Sequence, residues 1–231
     1  MDARRVLTVA DWGVVDYDGA LAIQTAMLTA RQDGRIGDTL LMMEHPQVFT
    51  LGRGADERFI VGNPAGVPIR RVSRGGQVTY HGPGQLIGYP ILKLEGPARD
   101  VAKYLRGLEA AMIDALAKFG IDAARRDAMT GVWVGSRKIA SIGVGIRRWV
   151  TWHGFALNVS TDLSFFDSIV PCGIEGCRMT SICELTNRAV SVREFAEVMR
   201  ESFGRVFHYD ETVVAGASQI GEAPQLMAGD G

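Results

Sequence analysis

The sequence lacks an excess of charge of either sign, long apolar runs and a framework of paired cysteines. Among its 231 residues, 25 Lys and Arg stand against 26 Asp and Glu, so there is no broad basic field for general nucleic-acid binding. No stretch of about 18 apolar residues is present to cross a bilayer, and the first residues lack the apolar core of a secretion signal. We therefore expect a soluble, cytoplasmic protein without nucleic-acid or membrane partners.

The cysteines are few and close together. Cys172, Cys177 and Cys183 lie within twelve residues of one another, and an odd number in a chain of this size is not typical of a disulfide scaffold. We expect reduced thiols. The alternative, three ligands of a metal ion with a histidine as the fourth, stays open, although their spacing matches no common zinc pattern.

The pattern of apolar residues predicts three helices separated by runs of strands. The helices are expected at about Asp18–Asp33, with Asp18 as N-cap, at about 98–119, and from Ser191, where Ser-Val-Arg-Glu forms a capping box. Strand runs occupy most of the middle of the chain. This order favours an α+β fold with a mixed or antiparallel sheet and packed helices.

The composition, 47% hydrophobic and 22% charged, is typical of a globular protein with a core. No internal repeat or linker divides the chain. We expect one domain over residues 1–210. The remaining residues, 211–231, are rich in Gly, Ala and Ser and are expected to form a flexible tail.

An uncharged, glycine-rich segment begins after Arg74. Residues 75–92 contain no Asp, Glu, Lys or Arg. Glycine has no Cβ to hold a ligand away and tolerates positive φ, so such a backbone can contact a substrate closely. The alternative is a pair of tight hairpin turns. The segment matches neither GxGxxG nor GxxxxGK[ST], which argues against a phosphate-binding loop.

Two further segments combine strand character with small residues. They are residues 139–146 and 153–159, with Ser141, Gly143 and Gly154 among them. A strand that only fills a core usually carries larger side chains. Space for a ligand is the functional interpretation, and a plain buried strand is the alternative.

Cys172 is the candidate nucleophile. Pro171 and Gly173 flank it, so the thiol lies on a constrained loop. A free thiol with a pKa of about 8.5 is only ~3% ionised at pH 7, so a nucleophile here needs a neighbouring positive charge. Lys138 is the best candidate because it enters an almost uncharged part of the chain. An inert buried cysteine and a surface lysine are the alternatives.

These segments together resemble one enzyme family. The stretches RGGQVTYHGPGQLIGYPIL, RKIASIGVGIRRWVTWHGFALNV and VPCGIEGCRMTSI are similar to those of the octanoyl-[acyl-carrier-protein]:protein N-octanoyltransferases of lipoate biosynthesis. The resemblance implies an α+β fold like that of biotin and lipoate protein ligases, and no cofactor. It implies octanoyl-acyl carrier protein as donor, and lipoyl domains of 2-oxoacid dehydrogenases and the glycine cleavage H protein as acceptors.

The resemblance also assigns roles to residues. It implies that Cys172 carries the acyl group as a thioester and that Lys138 lowers the pKa of this thiol. The acyl-binding residues that it implies are Arg74, Gly75, Gly76, Gln77, Val78, Thr79, Tyr80, His81, Ser141, Ile142, Gly143, Gly154, Phe155 and Ala156.

Three other functions stay open. An ATP-dependent lipoate or biotin protein ligase on the same fold would need no thiol, and Cys172 argues against it. A non-catalytic acyl-binding module would use the glycine-rich segments alone. A cysteine hydrolase is disfavoured because neither His81 nor His153 lies in a recognised Cys-His pattern.

Overall fold

The computed structural model describes residues 4–63, 66–174 and 176–216, with the side chain of Cys172 outside this description. The helices in this part are α1 (Tyr17–Gln32), α2 (Val101–Ala117), α3 (Ile182–Thr186) and α4 (Val192–Val206), with 3-10 turns at Glu57–Phe59, Gly96–Ala98, Leu163–Ser168 and Pro171–Gly173.

Two sheets organise the described residues. The strands are β1 (Val6–Val14), β2 (Asp38–Glu44), β3 (Val48–Leu51), β4 (Ile69–Arg71), β5 (Val78–His81), β6 (Gln85–Ile91), β7 (Ala124–Arg126), β8 (Met129–Val134), β9 (Arg137–Arg147), β10 (Val150–Asn158), β11 (Arg178–Met179) and β12 (Glu211–Ala215). The large sheet has the order β12-β1-β2-β6-β10-β9-β8-β7, with β11 also paired to β9, and the small sheet has the order β4-β3-β5.

The large sheet is mixed. Its β2-β6-β10-β9-β8-β7 portion is antiparallel, whereas β1 pairs in parallel with both β2 and β12. Helices α2 and α4 pack on one face, where Leu108, Phe195 and Phe203 join the larger apolar core. Helix α1 covers the other face through Met27 and Leu28. A mixed sheet between helices is the α+β architecture predicted from the sequence, and that prediction is confirmed.

Side-chain hydrogen bonds cap the N-termini of α1 and α4. Ser191 accepts a hydrogen bond from the Glu194 backbone N–H at 3.1 Å, as the capping-box sequence predicts. At α1 the predicted N-cap is wrong by two residues: Asp16, not Asp18, is the N-cap and accepts from Gly19 N–H at 2.8 Å. Helix α2 begins at its N-cap Asp100 and is shorter at both ends than the predicted range 98–119.

The end of the described chain differs from the expected tail. Strand β12 pairs in parallel with β1 over Val6–Ala10, so residues 211–215 belong to the large sheet. Backbone hydrogen bonds between strands fix these residues, whose sequence ETVVA is rich in β-branched side chains. Residues 217–231 lie outside the described part. None of the described helices combines the length and the apolar character that a membrane span requires.

Candidate functional site

A cavity of about 390 Å³ lies beside the glycine-rich segment, a size within the usual range for small-molecule sites. Strands β5, β9 and β10 provide most of its wall. Its lining residues are Tyr17, Arg74, Gly76, Gln77, Val78, Thr79, His81, Tyr89, Ala128, Met129, Thr130, Lys138, Ser141, Ile142, Gly143, His153, Gly154, Phe155, Ala156 and Ile174.

Most residues with an implied acyl-binding role line this cavity, and Gly75 and Tyr80 do not. The Tyr80 ring stacks on Phe165 with centroids 4.8 Å apart and lies in the core of the small sheet. Side chains alternate between the faces of a strand, so a contiguous motif along β5 cannot direct every side chain to one cavity. The Gly75 N–H donates to the Val144 carbonyl at 2.9 Å, which attaches the glycine-rich segment to β9.

Glycines in this region allow close backbone packing. A methyl group at Gly154 would lie 2.0 Å from the carbonyl oxygen of Gly88, and one at Gly143 would lie 2.9 Å from that of Gly75. Neighbouring backbone therefore fills the space that the sequence interpretation reserved for a ligand. At these two positions the missing side chain brings strands together, and the cavity lies alongside them.

Lys138 is buried, with 1% of its surface exposed, and lines the cavity. Its Nζ lies 5.3 Å from the centroid of the Trp133 ring, within cation–π range. A methyl group at Gly131 would lie 2.6 Å from the Lys138 Cε atom, so the glycine leaves room for the lysine chain. The alternative of an ordinary surface lysine does not describe this residue.

Helix α2 holds β8 at Gly131, the residue that leaves room for the Lys138 chain. The carboxylate of Glu109 is fully buried and accepts a hydrogen bond from Gly131 N–H at 3.0 Å. Arg106 and Arg125 neutralise it at 2.6 and 3.1 Å. Gly131, with φ of +129°, is thereby held in a conformation that suits glycine, next to Lys138.

The backbone at Cys172 lies in the 3-10 turn Pro171–Gly173. Val170 N–H donates to the Phe59 carbonyl at 2.7 Å, and Gly173 has a φ of +68°. Beyond the turn, Ile174 reaches the cavity that Lys138 also lines. The Cys172 side chain lies outside the described residues, so its distance from Lys138 belongs to the proposal below.

Arg74 is mostly buried, with 8% of its surface exposed. Its guanidinium donates to the Thr50 carbonyl at 2.7 Å, to Thr50 Oγ1 at 2.8 Å and to the Gly75 carbonyl at 3.0 Å. These bonds hold the start of the glycine-rich segment on β3, and the same side chain contributes to the cavity wall.

Buried histidines surround one end of the cavity. Burial, with the nearby His45 and Arg74, lowers the pKa of His81 to about 3. Burial, with Arg74 and Arg53, lowers the pKa of His153 to about 4. Both imidazoles are therefore neutral at pH 7 and act there as hydrogen-bonding groups.

Several cavity residues were missed by the sequence analysis. Tyr17 comes from α1, Tyr89 from β6, and Met129 and Thr130 from β8, which are far apart along the chain. No local pattern connects these positions. His153 is the first residue of the predicted segment 153–159, but the sequence analysis gave its side chain no binding role.

The described cysteines have no arrangement suited to a metal site. Cys183 Sγ contacts both backbone polar groups of Val190, at 3.3 and 3.6 Å. Within residues 4–63, 66–174 and 176–216, apart from the Cys172 side chain, no group of three His, Cys, Asp or Glu residues is placed to hold a metal ion.

Comparison with known proteins identifies the family. The lipoyl protein ligase A/B catalytic domain matches residues 16–204. An octanoyltransferase of Solibacter usitatus is 51% identical over 211 residues, covering 89% of this chain and 94% of that protein. One of Geobacter metallireducens is 44% identical over 199 residues, covering 86% and 91%.

Solved structures share the fold at low identity. A putative lipoate protein ligase from T. acidophilum with bound lipoic acid has a TM-score of 0.71 at 19% identity, covering 94% of this chain and 91% of that one. Biotin protein ligase from Aquifex aeolicus has a TM-score of 0.51 at 11% identity, covering 87% and 69%.

The fold is thus the one shared by lipoate and biotin protein ligases, with a cavity beside the glycine-rich segment. The chain belongs to the lipoyl protein ligase A/B catalytic domain family, in which the relatives named above are octanoyltransferases. The predicted family and the predicted acyltransferase activity, octanoyl transfer in protein lipoylation, are confirmed.

Proposed function

We propose that this protein takes the octanoyl group from octanoyl-acyl carrier protein onto Cys172 and passes it to a lysine amine of a lipoyl domain. The observation that carries the proposal is the buried Lys138 in the wall of a cavity that Ile174, two residues beyond Cys172, also lines. An ammonium group in such surroundings stabilises a nearby thiolate, because charges interact more strongly away from water.

The first half of the reaction loads the enzyme. The Cys172 thiolate attacks the thioester carbonyl carbon, and a new carbon–sulfur bond forms as the bond to the carrier sulfur breaks. The departing carrier thiolate takes a proton from the Lys138 ammonium. The octanoyl chain then occupies the cavity, and Lys138 is left as a neutral amine.

The second half of the reaction transfers the octanoyl group from the enzyme to the acceptor. The lysine amine of the lipoyl domain attacks the Cys172 thioester and gives up a proton to Lys138 as the amide bond forms. Cys172 leaves as a thiolate, which restores the starting pair. A thioester is converted to an amide at each turnover, a downhill exchange that consumes no ATP. The acceptors proposed are lipoyl domains of 2-oxoacid dehydrogenases and the glycine cleavage H protein.

The deciding experiment locates the acyl group. The protein is incubated with octanoyl-acyl carrier protein and cleaved after glutamate, which separates Cys172 from Cys177 at Glu175. We expect the mass of one octanoyl group on the Cys172 peptide. Cys172→Ser should lose transfer, and Lys138→Met should load at least a hundredfold more slowly. Cys177→Ser is the matched control and should load normally.

Other outcomes identify the alternatives. A label on Cys177, or full transfer by Cys172→Ser, overturns Cys172 as the nucleophile. Transfer from free octanoate with ATP but not from the carrier protein indicates a ligase, the activity named for the T. acidophilum structure. Tight binding of the acyl chain with no covalent product indicates a binding module.

A further inference from the structure

A buried series of polar side chains runs from the glycine-rich segment into β6. Arg74 donates to Thr50 Oγ1, which lies 3.3 Å from His81 Nε2. His81 Nδ1 lies 2.8 Å from Gln85 Oε1. All four residues are buried, so water does not compete for these hydrogen bonds.

The series continues across β10 toward Lys138. Gln85 Nε2 donates to Asn158 Oδ1 at 2.9 Å, and Asn158 Nδ2 donates to the Thr180 carbonyl at 3.0 Å. Thr180 N–H in turn donates to the carbonyl of Lys138 at 2.9 Å. Asn158 is therefore the side chain that joins the network of the glycine-rich segment to the residue that follows β11.

The direction of every bond in the series is fixed. The Thr180 carbonyl only accepts, so the Asn158 nitrogen faces Thr180 and the Asn158 oxygen accepts from the Gln85 nitrogen. The Gln85 oxygen then faces His81 Nδ1, which carries the proton of the neutral ring and donates. His81 Nε2 is left as an acceptor, so the Thr50 hydroxyl donates to it while accepting from Arg74. Reversing one member would leave buried donors facing each other.

Thr180 lies where the chain that carries Cys172 returns to β9. The preceding strand, β11, has only two paired residues, Arg178 with Arg137 and Met179 with Lys138. A ladder of two residue pairs fixes the position of a strand only weakly by itself. The carbonyl bond from Asn158 and the N–H bond to Lys138 engage both backbone polar groups of Thr180, which is fully buried.

We propose that Asn158 is a positioning residue that, through Thr180, fixes the returning chain against β9 and so holds Cys172 in register with Lys138. This inference rests on the proposed function, and it adds a residue that touches neither the acyl chain nor the reacting atoms. The network would also make the acyl-binding segment and the nucleophile loop depend on one set of hydrogen bonds.

The test compares Asn158→Ala and Asn158→Asp with the unmodified protein. The aspartate keeps the size of the side chain and the bond from Gln85, but its carboxylate repels the Thr180 carbonyl oxygen. In both variants we expect acyl-enzyme formation in a single turnover to slow by roughly tenfold to a hundredfold, since small displacements of reacting groups cost this much. The KM for the octanoyl donor should change little.

Two readouts separate positioning from general stability. The pH midpoint for alkylation of Cys172 by iodoacetamide should move up toward that of a free thiol, about 8.5. Hydrogen exchange should speed up at the Thr180 amide. Thr151→Val is the matched control, because Thr151 lies on β10 like Asn158 and its buried hydroxyl donates to the carbonyl of Pro90 on β6. It should lower stability without changing either readout.

The outcomes are distinct from those of the proposed function. If the unmodified protein does not load octanoyl on Cys172, the proposed function fails. If it loads normally while a folded Asn158 variant keeps the same acylation rate and alkylation midpoint, only the role of Asn158 is overturned. Should Asn158→Ala not fold, Asn158→Asp decides between the two results.

Discussion

At the residue scale, the site depends on polar side chains that are kept away from water. His81 and His153 have pKa values near 3 and near 4 because burial disfavours their charged forms. Both histidines line the cavity. Their neutral imidazoles add no positive charge beside Arg74.

These two histidines predict how stability depends on pH. In the unfolded chain a histidine takes up a proton near pH 6.5, whereas in the folded protein these two stay neutral until about pH 4 or below. The unfolded state therefore binds more protons in this range, and stability falls as pH falls from about 6.5 to 4. The slope is about 1.4 kcal/mol per pH unit for each histidine.

Urea unfolding between pH 7.5 and 4.5 measures this effect. His153→Gln should remove the contribution of one of the two histidines, so the slope of stability against pH should fall by about 1.4 kcal/mol per pH unit. The matched variant for comparison is His208→Asn, at an exposed position whose φ of +56° suits asparagine. An equal slope in the His153 variant and the unmodified protein would contradict the prediction.

Individual residues also show how much of the site a sequence motif can predict. The glycine-rich segment and Lys138 could be identified from the sequence because uncharged, glycine-rich chain is unusual. Tyr80 belongs to the same motif, but its ring packs on Phe165 in the small sheet. The reason Gly154 lacks a side chain, contact with the Gly88 carbonyl, depends on strand pairing that no local sequence reveals.

At the scale of elements, the position of Lys138 depends on helix α2. Glu109 extends from α2 to the backbone of β8, where it accepts the Gly131 N–H. The helix is predictable from its apolar period, but Glu109 is not, because a charged residue in a helix is ordinarily exposed. The start of α1 shows a similar limit, since Asp16 and Asp18 both fit an N-cap by composition.

Removing this buried carboxylate should destabilise the protein markedly. Glu109→Leu deprives the buried Gly131 N–H of its partner and removes the ion pairs with the half-exposed Arg106 and Arg125, so we expect a loss of about 2 kcal/mol. Glu197 on α4, whose pair with Arg193 is largely exposed, is the control, and Glu197→Ala should cost less than about 1 kcal/mol. Chemical denaturation measures both free energies of unfolding, and equal losses would contradict the structural role of Glu109.

At the scale of the whole molecule, two sheets and four helices in the described residues enclose a cavity of limited size. The α+β class could be predicted because strand runs and separate helices are visible in the sequence. The strand order could not, because it places β6 between β2 and β10 and joins β1 to β12 over long separations.

The cavity predicts a limit on the length of the acyl chain. Each buried methylene contributes about 0.8 kcal/mol only while the cavity has depth for it. With acyl-carrier donors of increasing length, kcat/KM should rise to about eight carbons and then level off or fall, and hexadecanoyl transfer should be at least tenfold slower than octanoyl transfer. Equal turnover of the hexadecanoyl and octanoyl donors would contradict the prediction.

The pairing of β1 with β12 constrains how the protein matures on the ribosome. Val6 is paired with Glu211, so β1 has no outer neighbour until about 200 further residues have been synthesised, roughly 10 to 40 s at 5–20 residues per second. During that interval its outer edge offers unpaired N–H and C=O groups to other nascent chains. Slow translation of the segment that leads to β12 would therefore prolong the period in which newly made copies are prone to aggregate.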